Sequence, residues 1–66
     1  MGLNRDFIRT RREKLKLTQQ GAAKLAGLQS RQVWNDIENG PRENITIETL
    51  EKIARALGVK AKDLLE

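Results

Sequence analysis

The chain has 66 residues, the length of one small domain, with 13 Lys and Arg against nine Asp and Glu, a net charge of +4, and 38% hydrophobic residues. It has no Cys and no His, which excludes disulfide staples, thiolate metal sites and the commonest general base. No apolar run approaches the roughly 18 residues of a membrane span, and a core this small rarely supports a deep catalytic cleft.

The elements read as helices throughout, because helix formers dominate and no apolar–polar alternation is sustained. The first helix is expected over about residues 5–14 after an Asn4 cap, with Phe7, Ile8, Arg11, Arg12 and Leu15 along one stripe. A second starts at a Thr18 cap and stops at Gly27, pointing Ala22, Leu25 and Ala26 inward. Its Gly21 costs about 1 kcal/mol relative to Ala. The third helix is capped by Gln29 or Ser30 and closed by Asn39-Gly40-Pro41, since Pro cannot continue the ladder. Thr46 caps a fourth, with Ile47, Leu50, Ile53, Ala54 and Leu57 as the clearest amphipathic stripe. After Gly58, residues 59–65 give a short last helix with Leu64 and Leu65 available to the core. The expected architecture is therefore all-α, a compact five-helix bundle forming a single domain over residues 1–66.

Charge divides the chain. Residues 1–33 carry eight basic and two acidic groups, net +6, and the remaining residues are net −2. One face is thus expected to meet a polyanion and another to avoid it, although a solvated, charge-mixed surface has the same composition.

The stretch from Leu17-Thr18-Gln19-Gln20 to Glu38-Asn39-Gly40 is a short helix with small residues, a glycine turn, and a second helix ending in Glu-Asn-Gly, which is a helix-turn-helix pattern. With Arg12, Ala23, Ala26-Gly27-Leu28, Ile37 and Thr46-Ile47-Glu48-Thr49-Leu50 through Ala56-Leu57-Gly58-Val59, it resembles the Cro and repressor type of helix-turn-helix regulator, also called the xenobiotic-response-element family. The resemblance covers nearly the whole chain. It implies a lambda-repressor-like fold and a cytoplasmic, bacterial or phage-encoded regulator that reads double-stranded DNA with its third helix in the major groove. Without His, Cys or a glycine-rich phosphate loop, and with no convincing acid–base pair of carboxylates at helical spacing, an enzyme is not expected, nor is a cofactor, metal or membrane partner.

The residues themselves agree with that chemistry. Counting helical turns from Ser30 places Val33 and Ile37 on one face with Trp34 at its edge. Gln32, Asn35 and Asn39 then point away, with Arg31 and Asp36 on the flanks. Amides pair bidentately with adenine and Arg with guanine, so Gln29, Ser30, Arg31, Gln32 and Asn35 are the candidate base contacts. Thr18 and Gln19 open a helix whose free N–H groups favour an anion. With Asn39 and Arg42, they match the family's phosphate-contacting positions. Arg12 lies on a partly buried stripe, where an unpaired charge is costly, and the resemblance pairs it with Glu38 as a structural ion pair.

Departures from the family pattern are specific. The interval from Thr18 to Glu38 is one residue longer than usual, which is expected to lengthen the turn near residues 28–30 and shift the register of the base-reading side chains. The inward pair of the third helix reads either as Val33 and Ile37 or as Trp34 and Ile37, the family's spacing. Gly21 and Ala22 replace a usual Glu and Leu, leaving space that Trp34 is expected to fill. Lys60 replaces the usual Ser or Thr cap, so the last helix is expected to fray. Asp36 would repel phosphate if it faced the backbone, and is expected to one side.

A module this small calls for two-fold pairing on a palindromic operator, so a homodimer is expected. Val59, Leu64, Leu65 and Ile45 supply surplus apolar surface for it. The alternative is a helical protein-interaction module, or an antitoxin-like partner binder, that keeps the fold without specific DNA reading.

Overall fold

The computed structural model describes residues 2–40 and 45–65. Four α-helices follow one another: α1 (Arg5–Lys14), α2 (Gln19–Ala26), α3 (Arg31–Asn39) and α4 (Ile47–Leu57). A single 3-10 turn, Ala61–Leu64, comes last. The expected fifth helix is therefore only this turn. Four residues make little more than one helical turn, and the N–H of its cap residue is met locally when Lys60 N donates to Asp63 Oδ2 at 3.2 Å. Among the described residues, no helix is long and apolar enough to cross a membrane.

Each α-helix starts and stops for a local reason. Asn4 Oδ1 accepts from Phe7 N at 3.1 Å, Thr18 Oγ1 from Gly21 N at 2.9 Å, and Thr46 Oγ1 from Thr49 N at 3.1 Å. Ser30 caps α3 with backbone geometry alone, making no side-chain cap bond. At the C-termini of α1, α2 and α4, paired backbone bonds reach back to the last turn. Each needs one residue in the left-handed region: Gly27 (φ 73) for α2, Gly58 (φ 69) for α4, and Lys16 (φ 60) for α1. Gly40 ends α3 at φ 77, ψ 172, a conformation almost reserved for glycine.

The helices close on a core of Leu3, Ile8, Ala22, Ala23, Ala26, Trp34, Ile37, Leu50, Ile53, Ala54, Leu57 and Leu64. α2 is built of small residues on its inner side, so it lies between α3 and α4 and touches both. The chain ends meet as well: Asn4 N donates to Leu64 O at 2.7 Å, and Leu3 bridges to Leu65. Arg11 Nε donates to Leu57 O at 2.9 Å, tying α1 to the end of α4.

Several inward assignments are corrected. Leu25 is 63% exposed, and Ala23 takes its place, because wedging α2 between two neighbours turns its buried arc toward residue 23. Ile47 is 75% exposed because the first residue of α4 projects before the helix reaches the core. Leu15, beyond the last turn of α1, is also exposed. Conversely, Leu64 is fully buried and so is not surplus apolar surface, while Val59, Ile45 and Leu65 are partly buried against the core.

Lys16 is a side chain in a conformation that favours glycine by about 1 kcal/mol. Lys16→Gly is expected to raise unfolding stability by roughly 0.5–1 kcal/mol in urea titration. An unchanged or lower midpoint contradicts the left-handed assignment.

Candidate nucleic-acid interface

α2 and α3 are joined by the four residues 27–30, the stretch expected to absorb the extra residue. The register question is decided by burial. Trp34 and Ile37 are fully buried with Glu38 beside them, while Val33 is only partly buried. The inward face thus centres on Trp34, and its alternative centre, with Trp34 at the edge, is corrected. Trp34 does not occupy the space at Gly21, where a Cβ would meet Thr18 Oγ1 and Leu17 Cδ2 instead, and that expectation is corrected. It is fully buried on the side of α3 that packs in the core. This rotation carries Gln32, Asp36 and Asn39 to the side opposite the core and turns Asn35 toward α2.

Glu38 is the one buried charged residue among those described, 1% exposed. Arg12 Nε donates to its Oε2 at 2.5 Å and Arg12 Nη2 to its Oε1 at 3.2 Å, a two-pronged contact. The Trp34 indole N–H donates to Oε2, and Gln19 Nε2 donates to Oε1 at 3.3 Å. Arg12 is completed by Nη1 donating to Leu17 O at 2.8 Å. Burial pushes the Glu38 carboxyl upward, but the hydrogen bonds from Arg12, Trp34 and Gln19, with the Arg12 charge, outweigh it and hold the pKa below the ordinary value.

From that carboxylate the network runs outward to the surface. Gln19 Oε1 accepts from Asn35 Nδ2 at 3.3 Å and from Arg31 Nη1 at 3.5 Å. Asn39 Nδ2 donates to Asn35 Oδ1 at 3.4 Å, and Arg9 Nη2 donates to Asn39 Oδ1, also at 3.4 Å. Gln32 Nε2 donates to Asp36 Oδ1 at 2.9 Å. Of the candidate base contacts, Arg31, Gln32 and Asn35 therefore share one surface, and Gln29 and Ser30 lie exposed at its N-terminal edge. Thr18, Gln19 and Asn39 border the same surface; Arg42 lies outside the described residues.

Two participants were not legible in advance. Arg9, whose side chain is 44% exposed with its Nε 4.0 Å from Glu38 Oε1, adds a cation beside Asn39. Its spacing from residues 38 and 39 gave no signal. The Trp34–Glu38 bond had one, since the two stand four apart on a helix.

A two-helix corner with a polar outward ridge and its small-residue partner helix defines a helix-turn-helix protein. The sequence profile of the helix-turn-helix family matches residues 8–64, and the chain belongs to this Cro/C1-type family of DNA-binding transcription regulators. Over 32 residues it is 53% identical to the control protein C.BamHI of Bacillus amyloliquefaciens, a stretch that is 48% of this chain and only 38% of that protein. The restriction-modification controller protein C.AhdI from Aeromonas hydrophila is similar in structure, with a TM-score of 0.79 and 31% identity, covering 88% of this chain and 85% of that one. The SinR protein/SinI protein complex contains a chain that matches with a TM-score of 0.84 and 26% identity, covering 94% of this chain and 59% of its own.

Removing either member of the Arg12–Glu38 contact strands the other in a low-dielectric site, an effect of about 3–5 kcal/mol. In a double-mutant cycle, Arg12→Ala and Glu38→Ala are expected to couple by at least about 2 kcal/mol in denaturant unfolding; additive losses exclude the pairing. The depressed Glu38 pKa also has a definite sign with pH. Its contribution is fully present above the unfolded value, near 4.5, and is lost as pH falls through the lower folded value. The stability gap between the native chain and Glu38→Gln is expected to shrink below about pH 4.5, as read by thermal melts across an acid series; a gap independent of pH there contradicts the assignment.

Proposed function

We propose that the chain is a sequence-specific regulator that binds a palindromic operator as a homodimer, with α3 in the major groove, in the manner of a restriction-modification controller. The observation carrying this reading is the outward ridge of α3. Arg31, Gln32 and Asn35 stand together there, two of them tied to Gln19 at the start of α2. Side chains already held in place lose little rotamer entropy on meeting base edges. Gln29 and Ser30 extend the base-reading surface toward the turn. Thr18, Gln19, Asn39 and Arg42 are assigned to phosphates on either side, and Arg9 joins them because its guanidinium is tethered to Asn39.

The homodimer follows from size. One module of this extent, about 27 × 21 × 19 Å, covers too little groove for tight binding, whereas two on half-sites about 34 Å apart cover enough. The likeness to C.AhdI and C.BamHI supports the controller setting. Docking to a protein partner is the second reading, favoured by the exposed Leu25 and Ile47.

Selection of bound sequences from random duplexes, followed by titration at two salt concentrations, tests both. A palindromic consensus is expected, with affinity falling roughly 10³-fold between 50 and 200 mM salt for a contact neutralising about six phosphates. Binding without sequence enrichment, or without salt dependence, favours the protein-docking reading.

A further inference from the structure

Asp36 is an acidic side chain on a surface proposed to approach a polyanion, and the phosphate and base assignments leave it without a role. It stands one helical turn after Gln32, on the same side of α3. Gln32 is exposed and Asp36 half-buried, and Gln32 Nε2 donates to Asp36 Oδ1 at 2.9 Å. The two amides of the ridge are thus in different situations. Asn35 has both ends occupied within the protein, its nitrogen by Gln19 and its oxygen by Asn39. Gln32 commits one N–H to the carboxylate and keeps its oxygen and second N–H.

A glutamine amide is ambiguous by shape alone, since its oxygen and nitrogen are nearly isosteric and interchange on rotation. A carboxylate removes the ambiguity because it only accepts hydrogen bonds. The nitrogen of Gln32 must face Asp36, and one of its two N–H groups is used there. What remains is a carbonyl oxygen beside a single N–H, one acceptor next to one donor. Adenine presents the complement in the major groove, an N6 donor beside the N7 acceptor, whereas guanine presents two acceptors, N7 and O6. With one N–H committed, Gln32 cannot offer guanine the two donors it needs.

We propose that Asp36 is a specificity-determining residue: by fixing the amide of Gln32, it makes this chain read adenine and reject guanine at one base pair of its operator. The inference rests on the DNA-binding reading above. Asp36 acts as a positioning residue and touches no base itself. Its charge has a second consequence of opposite sign, since a carboxylate on this face repels the phosphate backbone of any duplex. Asp36 therefore lowers affinity for DNA in general while raising discrimination.

Those opposed effects give the test. Binding of the full chain is measured to the selected duplex, to copies with single adenine-to-guanine exchanges, and to a mixed-sequence duplex. The proteins are the native chain, Gln32→Ala, Asp36→Asn and Asp36→Ala, with helix content checked by circular dichroism. Asp36→Asn preserves shape, and its amide can donate as well as accept, so it frees Gln32 to turn over. The native chain is expected to prefer adenine by about tenfold at the pair where Gln32→Ala abolishes the preference. Both Asp36 variants are expected to reduce that preference to about twofold or less. Asp36→Ala is also expected to bind the mixed-sequence duplex severalfold more tightly. Asp36 variants that retain the native preference overturn the inference and leave the contact as a helix-surface pair. So does a native chain that selects a consensus without adenine at the Gln32 pair; in both cases the DNA-binding reading stands. A native chain that enriches no sequence overturns that reading and this inference together.

Discussion

A carboxylate held at 1% exposure has to be surrounded by donors, and Glu38 is surrounded by three helices' worth of them. Arg12 arrives from α1, Gln19 from the start of α2, and Trp34 from α3 itself. Burying one charge costs several kcal/mol unless it is paired and its lone pairs are satisfied. The observed placement of α1, α2 and α3 meets that condition by bringing a donor from each helix to one carboxylate. Apolar attraction is non-directional, whereas hydrogen bonds to a carboxylate depend on distance and angle, so the Glu38 site constrains the angular setting of α3 more sharply than apolar burial alone.

That setting matters because the outward ridge is the opposite side of the same helix. With Trp34, Ile37 and Glu38 fixed inward, Gln32 and Asp36 are fixed outward, and Asn35 is turned to meet Gln19. Gln19 joins the two sides directly, since its nitrogen donates to the buried carboxylate while its oxygen accepts from the ridge. A polar interior and a polar exterior are thus one hydrogen-bonded network, which holds Arg31 and Asn35, both proposed to meet bases, against Gln19. Such preorganisation lowers the entropy lost on binding.

The helical corner also carries its own economy of space. α2 presents only the small side chains Ala22, Ala23 and Ala26 to the core, α3 packs against it, and the Trp34 indole is fully buried. The two helices are joined by the four residues 27–30. At the far side, Arg11 on Leu57 O and the bridge between Leu3 and Leu65 close the bundle without a fifth α-helix.

Local chemistry made most of the fold legible. Asn4, Thr18 and Thr46 announce helix starts and Gly27, Gly40 and Gly58 helix ends, because caps and left-handed stops depend on neighbours a few residues away. The family pattern in Leu17-Thr18-Gln19 and Ile37-Glu38-Asn39-Gly40 was likewise readable, and with it the class of regulator. What the linear order left open was rotation: whether Val33 or Trp34 faces the core, whether Leu25 and Ile47 are covered, and where Asp36 stands. Periodicity defines a helix's apolar stripe only to within about a third of a turn. The packing of α1, α2 and α3 about one carboxylate resolves the rotation of α3, since the donors come from residues 12, 19 and 34, too far apart in sequence for any local rule to bring together. The exposure of Leu25 and Ile47 is decided by how α2 and α4 seat against the shared core.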